Sequence, residues 1–125
     1  MRLAWAEAGG RIDYINAHAT STRLGDVSEL DAIRAVFEGD LPLISSTKGL
    51  TGHPIAASAA HEAVYSLLML KCGFLAGCAN VSKLDVECEA MPILIAAIAH
   101  RIDTVMSNSF GFGGTNASLI FRRLD

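Results

Sequence analysis

The first third of the chain alternates between short apolar runs and a helical pattern. In residues 11–17 apolar and polar side chains alternate, which predicts a strand that leads into a Thr- and Ser-rich loop over residues 18–25. Residues 26–37 repeat apolar side chains at helical spacing, and residues 43–46 form a short apolar run. We therefore expect a strand, a loop, a helix and a second strand.

The longest apolar stretch covers residues 54–72 and consists almost wholly of small and aliphatic side chains. Pro54 suits the first turn of a helix, and Gly73 suits its end. A helix that is apolar around its whole circumference is expected to be buried on every side. The pattern therefore predicts a central helix that other elements cover.

The last part of the chain contains three more predicted strands, at residues 74–81, 104–109 and 117–121. Residues 91–100 fit a buried strand or a helix equally well. Residues 2–7 resemble the end of a helix, and we expect the chain to be truncated there. Strands that alternate with helices in this way predict a layered α/β arrangement.

Composition bounds the class of protein. With 125 residues, 51% of them hydrophobic, the chain can bury one core, so we expect a single domain. Ten Lys and Arg against 13 Asp and Glu give a net charge of −3 without a basic cluster, which argues against a nucleic-acid partner. The apolar runs are too short or too interrupted to span a bilayer, and no signal-like segment follows Met1, so we expect no membrane association.

The three cysteines are Cys72, Cys78 and Cys88. Their odd number and the lack of a CxxC spacing argue against both a disulfide framework and a metal site. Free thiols fit a reducing compartment, so we expect a cytoplasmic protein that binds no metal.

The first cluster with chemical potential is His18, followed by Thr20 and Thr22, directly after a predicted strand. An imidazole held there can transfer a proton or donate a hydrogen bond to a developing negative charge. The alternative is an ordinary turn in which the hydroxyls bond the backbone. These residues alone leave both interpretations open.

The second cluster joins Lys48 and His53 through a loop that leads into the apolar helix. A lysine so close to an apolar element needs an anionic partner, and Asp26 or Glu29 on the preceding helix could supply it. His53 lies just before Pro54, so the alternative is a histidine that caps the helix or fills the loop.

The third cluster is a glycine-rich loop over residues 108–116 that contains Phe110 and Phe112. Its three glycines permit conformations closed to other residues, so amide N–H groups could converge on one oxygen as an oxyanion hole, while the rings exclude water. The alternative is a hairpin with aromatic plugs. Nucleotide binding is disfavoured, because the loop lacks the GK[ST] ending and the GxGxxG spacing at a strand-to-helix turn.

Together the three clusters resemble the β-ketoacyl-[acyl carrier protein] synthases. The patterns HxTST, STKxxTGH and NSFGFGGTN follow one another in one short chain, and the last is most similar to the type I bacterial enzymes. The resemblance runs from about residue 12 to residue 123. It implies an α/β fold that is the C-terminal half of a thiolase-like layered structure, with a mixed sheet and a buried central helix. Residues 1–125 would then be the C-terminal synthase domain, without the N-terminal half that supplies the nucleophilic cysteine.

The resemblance also implies an activity in fatty-acid biosynthesis. An acyl group is joined to malonyl-acyl carrier protein with loss of CO₂, which is a decarboxylative Claisen condensation. His18 and His53 would bind the malonyl thioester carbonyl and stabilise the enolate, and Lys48 would shape the electrostatics of that pair. Because the nucleophile lies outside it, this chain alone is expected to be inactive.

Further roles follow from the same resemblance. They are electrostatic support of Lys48 by Asp26 and Glu29, binding of the phosphopantetheine arm by Thr20 and Thr22, an oxyanion hole that uses the amide of Phe112, and an acyl gate formed by Phe110 and Phe112. The chain would need no cofactor, because phosphopantetheine arrives on acyl carrier protein. The implied partners are acyl carrier protein carrying acyl and malonyl groups, the N-terminal half, and a second copy in a homodimer of the intact protein.

The sequence departs from the family pattern at three glycine positions, which here are Ala19, Ala56 and Ala59. An added methyl group could shift the imidazole of His18 or overpack the helix, at a cost of about 1–3 kcal/mol. One alternative is therefore a non-catalytic truncated homologue or partner subunit. A second alternative is thiolase-like acyl-CoA chemistry, because residues 52–58 are similar to the GHPxGxS segment of thiolases.

Overall fold

The computed structural model describes residues 1–124, which form helices and strands in alternation. Two short 3₁₀ turns, Ile55–Ala57 and Phe112–Gly114, lie between the regular elements. The elements are α1 (Arg2–Ala8), β1 (Tyr14–Asn16), α2 (Arg23–Val36), β2 (Leu43–Ser45), α3 (Lys48–Thr51), α4 (Ser58–Cys72), β3 (Phe74–Leu75), β4 (Ile98–Ala99), β5 (Thr104–Phe110) and β6 (Asn116–Arg122).

A mixed four-stranded sheet forms the middle layer, in the order β2-β1-β5-β6. Strand β1 pairs parallel with both neighbours, Tyr14 lying opposite Leu43 on one side and Val105 on the other, whereas β5 and β6 form an antiparallel hairpin. All three residues of β1 are buried, as expected of a central strand covered on both faces. The expected α/β class with a mixed sheet is confirmed.

The core lies on both faces of this sheet. Successive side chains of a strand point to opposite faces, so Tyr14 packs beside α4 residues such as Met69, and Ile15 packs beside α2 residues such as Ile33. Helix α1 lies on the α2 side, where Trp5 contacts Phe37 with ring centroids 5.0 Å apart. The layers are therefore α2, sheet and α4.

Helix α4 differs from the prediction in its start and in its burial. It begins at Ser58, because the φ of 49° at Ile55 interrupts the helical path, and it ends before Gly73, which adopts the expected left-handed conformation. The buried residues are Ser58, Glu62, Ser66, Met69 and Leu70, whereas Val64, Leu67 and Leu68 are exposed. The prediction of burial on every side is wrong for residues 1–124, because the sheet covers only one face.

The remaining predictions differ mainly at element ends. Helix α2 begins three residues earlier than expected, and of residues 74–81 only Phe74–Leu75 forms a strand, paired with Ile98–Ala99. Residues 91–100 contain the short strand Ile98–Ala99 and a bridge from Ile93 to Ile44, joined by bends instead of a helix. Pairing partners, rather than the local sequence pattern, set the lengths of the strands, because a strand ends where its neighbouring strand diverges.

Candidate functional site

The candidate residues gather at one edge of the sheet. His18 follows β1 and Lys48 follows β2, while Phe110 ends β5. These three strands run parallel to one another, so their carboxyl ends meet at the same edge, which is where parallel sheets place their sites. Connectivity alone therefore brings together three segments that lie far apart in the sequence.

The two imidazoles contact each other at this edge. The ring centroids of His18 and His53 lie 5.3 Å apart and the planes are nearly perpendicular, at 87°. The ring centroid of Phe110 lies 5.9 Å from that of His18. His18 is partly buried and His53 is exposed, so one ring is held in the protein and the other borders solvent.

The environment of His18 keeps its ring neutral. Burial, together with the positive field of Lys48 and the neighbouring His53, lowers the pKa of His18 from 6.5 to about 4. Among the described residues, no hydrogen-bond partner reaches its Nδ1 atom. At neutral pH this imidazole can therefore donate one hydrogen bond to a ligand without carrying a charge.

Lys48 does not pair directly with Asp26 or Glu29, and that part of the sequence prediction is wrong. Its ammonium instead forms a buried ion pair with Glu62 on α4, whose side chain is 2% exposed against 6% for Lys48. Burial raises the pKa of Glu62, while the contact with Lys48 counteracts that shift. The reason is the layer order, because the loop after β2 lies over α4 on the face of the sheet opposite α2.

Glu62 is not among the residues predicted from the sequence, although the sequence carries a signal for it. It is the sole carboxylate in residues 54–72, inside the most apolar stretch of the chain. A buried carboxylate needs a cation, and the nearby loop supplies Lys48. That requirement makes Glu62 a third candidate partner beside Asp26 and Glu29, and the fold selects it.

Glu29 anchors the segment that carries His18. Its carboxylate accepts hydrogen bonds from the amides of His18 (3.0 Å) and Ala19 (2.8 Å) and from Nδ2 of Asn108 (3.0 Å). Burial raises the pKa of Glu29, and these donors together with the field of Lys48 lower it in part. Glu29 therefore ties β1, β5 and α2 together behind the imidazole.

Asp26 and the two threonines lie at the start of α2. Burial raises the pKa of Asp26, while backbone amides at residues 20–22 and the field of Lys48 act in the opposite direction. The hydroxyls of Thr20 and Thr22 lie 3.3 Å apart. Thr20 lines a cavity of about 490 Å³ that His18 and Phe110 also line, whereas Thr22 lies outside that lining.

The glycine-rich turn places its two aromatic residues differently. Gly113 and Gly114 adopt left-handed φ angles of 76° and 85° at the tip of the β5–β6 hairpin. Phe110 borders the cavity, but the side chain of Phe112 is fully exposed. Within residues 1–124, no side chain packs on the ring of Phe112, so this ring does not shield the site as expected.

The three alanines at expected glycine positions fit their backbone. None of Ala19, Ala56 and Ala59 has a positive φ, so none needs a glycine for its conformation. Ala56 is also exposed, and its methyl group therefore meets no crowding within residues 1–124. The backbone therefore accepts an alanine at all three positions, whereas crowding at the partly buried Ala19 and Ala59 stays a prediction.

Two of the three thiols lie in surroundings that disfavour the thiolate. Burial raises the pKa of Cys78 and of Cys88, which makes both thiols poorer nucleophiles, and Cys72 is exposed at the end of α4. In residues 1–124, no group of three His, Cys, Asp or Glu side chains is arranged to hold a metal ion. The helices described here are also too short or too polar to cross a membrane.

Comparison with known proteins gives a consistent family. The family model for the β-ketoacyl synthase C-terminal domain matches residues 1–82. The chain is 49% identical over 124 residues to 3-oxoacyl-[acyl-carrier-protein] synthase 1 of Escherichia coli and 52% identical to that of Haemophilus influenzae. These matches cover 99% and 98% of this chain and 30% of each relative, so the chain spans about a third of their length.

A solved structure agrees with these relatives. The ishigamide ketosynthase/chain length factor superposes with a TM-score of 0.94 at 31% identity, over 99% of this chain and 32% of that chain. The match extends over nearly every described element, including the edge of the sheet where the histidines meet. With its three motifs, its fold and these matches, the chain belongs to the β-ketoacyl synthase family, as part of the C-terminal region.

Proposed function

We propose that this chain supplies the histidine side of the active site of a β-ketoacyl-[acyl carrier protein] synthase. The observation that carries the proposal is the pair of imidazoles, whose ring centroids lie 5.3 Å apart, beside a buried lysine. Two donors on neighbouring loops can address one carbonyl oxygen, which is what the decarboxylation of a malonyl thioester requires.

In the proposed reaction, the malonyl thioester carbonyl accepts hydrogen bonds from His18 and His53. The bond between the malonyl α-carbon and its carboxylate breaks, CO₂ leaves, and the electron pair moves into the enolate, whose oxygen the two donors stabilise. The enolate carbon then attacks an acyl thioester on a cysteine outside this chain and expels the thiolate. A neutral His18 suits this role, because its N–H group donates a hydrogen bond to the enolate oxygen while the proton stays on the imidazole.

The surrounding residues would support that pair. The Lys48 and Glu62 ion pair supplies a fixed positive end near His18, and Glu29 holds the backbone of His18 in place. Thr20 would contact the phosphopantetheine arm from the cavity wall, with Thr22 beside it.

The glycine-rich turn would complete the site from the other side. We assign an oxyanion-hole role to the amide of Phe112 and an acyl-gate role to the rings of Phe110 and Phe112. The exposed tip of the hairpin suits a gate, because no described residue packs on the ring of Phe112.

The proposed partners follow from the relatives, whose names specify acyl carrier protein. Acyl carrier protein would deliver acyl and malonyl groups on its phosphopantetheine arm, so the synthase needs no cofactor of its own. The remaining two thirds of the polypeptide would cover the exposed aliphatic face of α4, which gives a reason for its apolar sequence. We further propose a homodimer in the cytoplasm.

The test uses a completed enzyme, in which the N-terminal two thirds of the E. coli relative precede this chain. CO₂ release from carboxyl-labelled malonyl-acyl carrier protein is measured. His18→Ala and His53→Ala should each reduce release by about 100-fold or more. His100→Ala, an exposed histidine outside the site, is the matched control. Unchanged release in both site variants would refute the proposal.

The same protein separates the two alternative functions. A non-catalytic homologue releases no CO₂ from any acyl substrate, even though the completed enzyme is folded. A thiolase-like enzyme prefers acetyl-CoA in competition and forms product without decarboxylation.

A further inference from the structure

Ser46 connects the two loops that carry the candidate site. Its hydroxyl donates a hydrogen bond to the carbonyl oxygen of Ala19 (3.2 Å) and accepts one from the amide of Lys48 (3.3 Å). Ser46 is 7% exposed and belongs to the lysine loop, residues 46–49, and Ala19 belongs to the histidine loop, residues 18–20, so the bond to Ala19 joins the two loops. The Ser46 hydroxyl therefore acts both as a hydrogen-bond donor and as an acceptor within the protein.

The contact lies just beyond the end of a strand pair. The amide of Ala17 donates to the carbonyl of Ser45 (2.8 Å), and after this bond the two backbones turn toward α2 and α3. Glu29 ties the histidine loop to α2 but makes no hydrogen bond to the lysine loop within the described chain. The hydroxyl of Ser46 is therefore placed to set the distance between the loops.

Packing behind the loops leaves room for movement. A cavity of about 290 Å³ is lined by Ala19 and Ser46 and by Cys78, whose sulfur accepts a hydrogen bond from the amide of Ser46 (3.3 Å). Loss of the Ser46 hydroxyl would let the two loops shift toward this open space.

We infer that Ser46 is a positioning residue, which fixes the loop of His18 relative to Lys48 and so sets the geometry of the imidazole pair. This inference rests on the proposed function. A displacement of the donors by a fraction of an ångström weakens stabilisation of the transition state more than it weakens substrate binding. The effect should therefore fall on kcat.

The test compares Ser46→Ala, Ser46→Thr and the parent in the completed enzyme. Ser46→Ala should lower kcat for CO₂ release about threefold to tenfold, with KM for malonyl-acyl carrier protein changed less than about twofold. Ser46→Thr keeps the hydroxyl and should restore most of kcat. Thr51→Ala is the matched control, because that hydroxyl bonds only the backbone of its own turn. A kcat for Ser46→Ala equal to that of the parent would overturn the inference.

A second measurement does not depend on activity. Amide hydrogen exchange in the 125-residue chain should become faster in both loops, around residues 18–20 and 46–49, in Ser46→Ala but not in Thr51→Ala. Unchanged exchange in both loops would also overturn the inference. If the completed parent enzyme releases no CO₂, the proposed function fails, while the exchange data still decide whether Ser46 ties the loops.

Discussion

Removal of the Glu62 carboxylate should strongly destabilise the chain. The partner ammonium of Lys48 would then lie in the protein without a counter-ion, since the two side chains are only 2% and 6% exposed. Breaking such a buried pair costs about 3–5 kcal/mol of unfolding free energy. An exposed pair such as Arg34 and Asp31, 46% and 63% exposed, contributes at most about 1 kcal/mol. Glu62→Ala and Asp31→Ala are therefore a contrasting pair of variants.

Urea unfolding followed by circular dichroism measures the difference. With a dependence of about 2 kcal/mol per molar urea, Glu62→Ala should lower the midpoint by about 2 M, and Asp31→Ala by less than about 0.5 M. The double variant Lys48→Met, Glu62→Leu should recover most of the loss, because an apolar pair of similar volume needs no counter-ion. If Glu62→Ala cost no more than Asp31→Ala, Lys48 would have to reach water, and the argument from burial would be wrong.

Three more outcomes follow from the structure. The pKa of His18 is about 4 in the folded chain and 6.5 in the unfolded chain. The unfolding free energy of the parent, relative to that of His18→Gln, should therefore be greatest above pH 6.5 and decrease as the pH falls to about 4. A difference in unfolding free energy that does not change with pH, measured by thermal unfolding, would contradict this pKa. Glu29→Gln replaces one carboxylate oxygen with an NH2 group, so one of the two amides of His18 and Ala19 would face a donor instead of an acceptor. The change should cost about 2 kcal/mol of unfolding free energy and speed hydrogen exchange of these amides, and unaltered exchange would argue against this anchor. Leu67 is 44% exposed, so Leu67→Asp should cost less than about 1 kcal/mol of unfolding free energy and reduce light scattering by the isolated chain. Met69 is 1% exposed, so Met69→Asp should prevent folding. Equal effects of the two substitutions on stability would contradict the orientation of α4.

The sequence alone was sufficient for the order of the main elements β1, α2, β2, α4, β5 and β6, but not for α3 or β4. Periodicity distinguishes strands from helices, and Gly73 ends α4 because it adopts a left-handed conformation. His18 and Lys48 each follow a predicted strand, and the parallel pairing of those strands in the structure brings both residues to the same edge of the sheet. The pairing of His18 with His53 was expected from the family resemblance, and the coordinates show it.

Tertiary structure decided which residues face one another. Asp26, Glu29 and Glu62 were all within reach of Lys48 in the sequence, and only the layer order selects Glu62. An apolar pattern indicates that burial of a surface is favourable, but it does not identify the element that buries it. The exposure of Leu67 on α4 and of Phe112 at the hairpin tip could therefore not be predicted. Local propensities act over a few residues, whereas ion pairing and burial depend on which distant segments the fold places side by side.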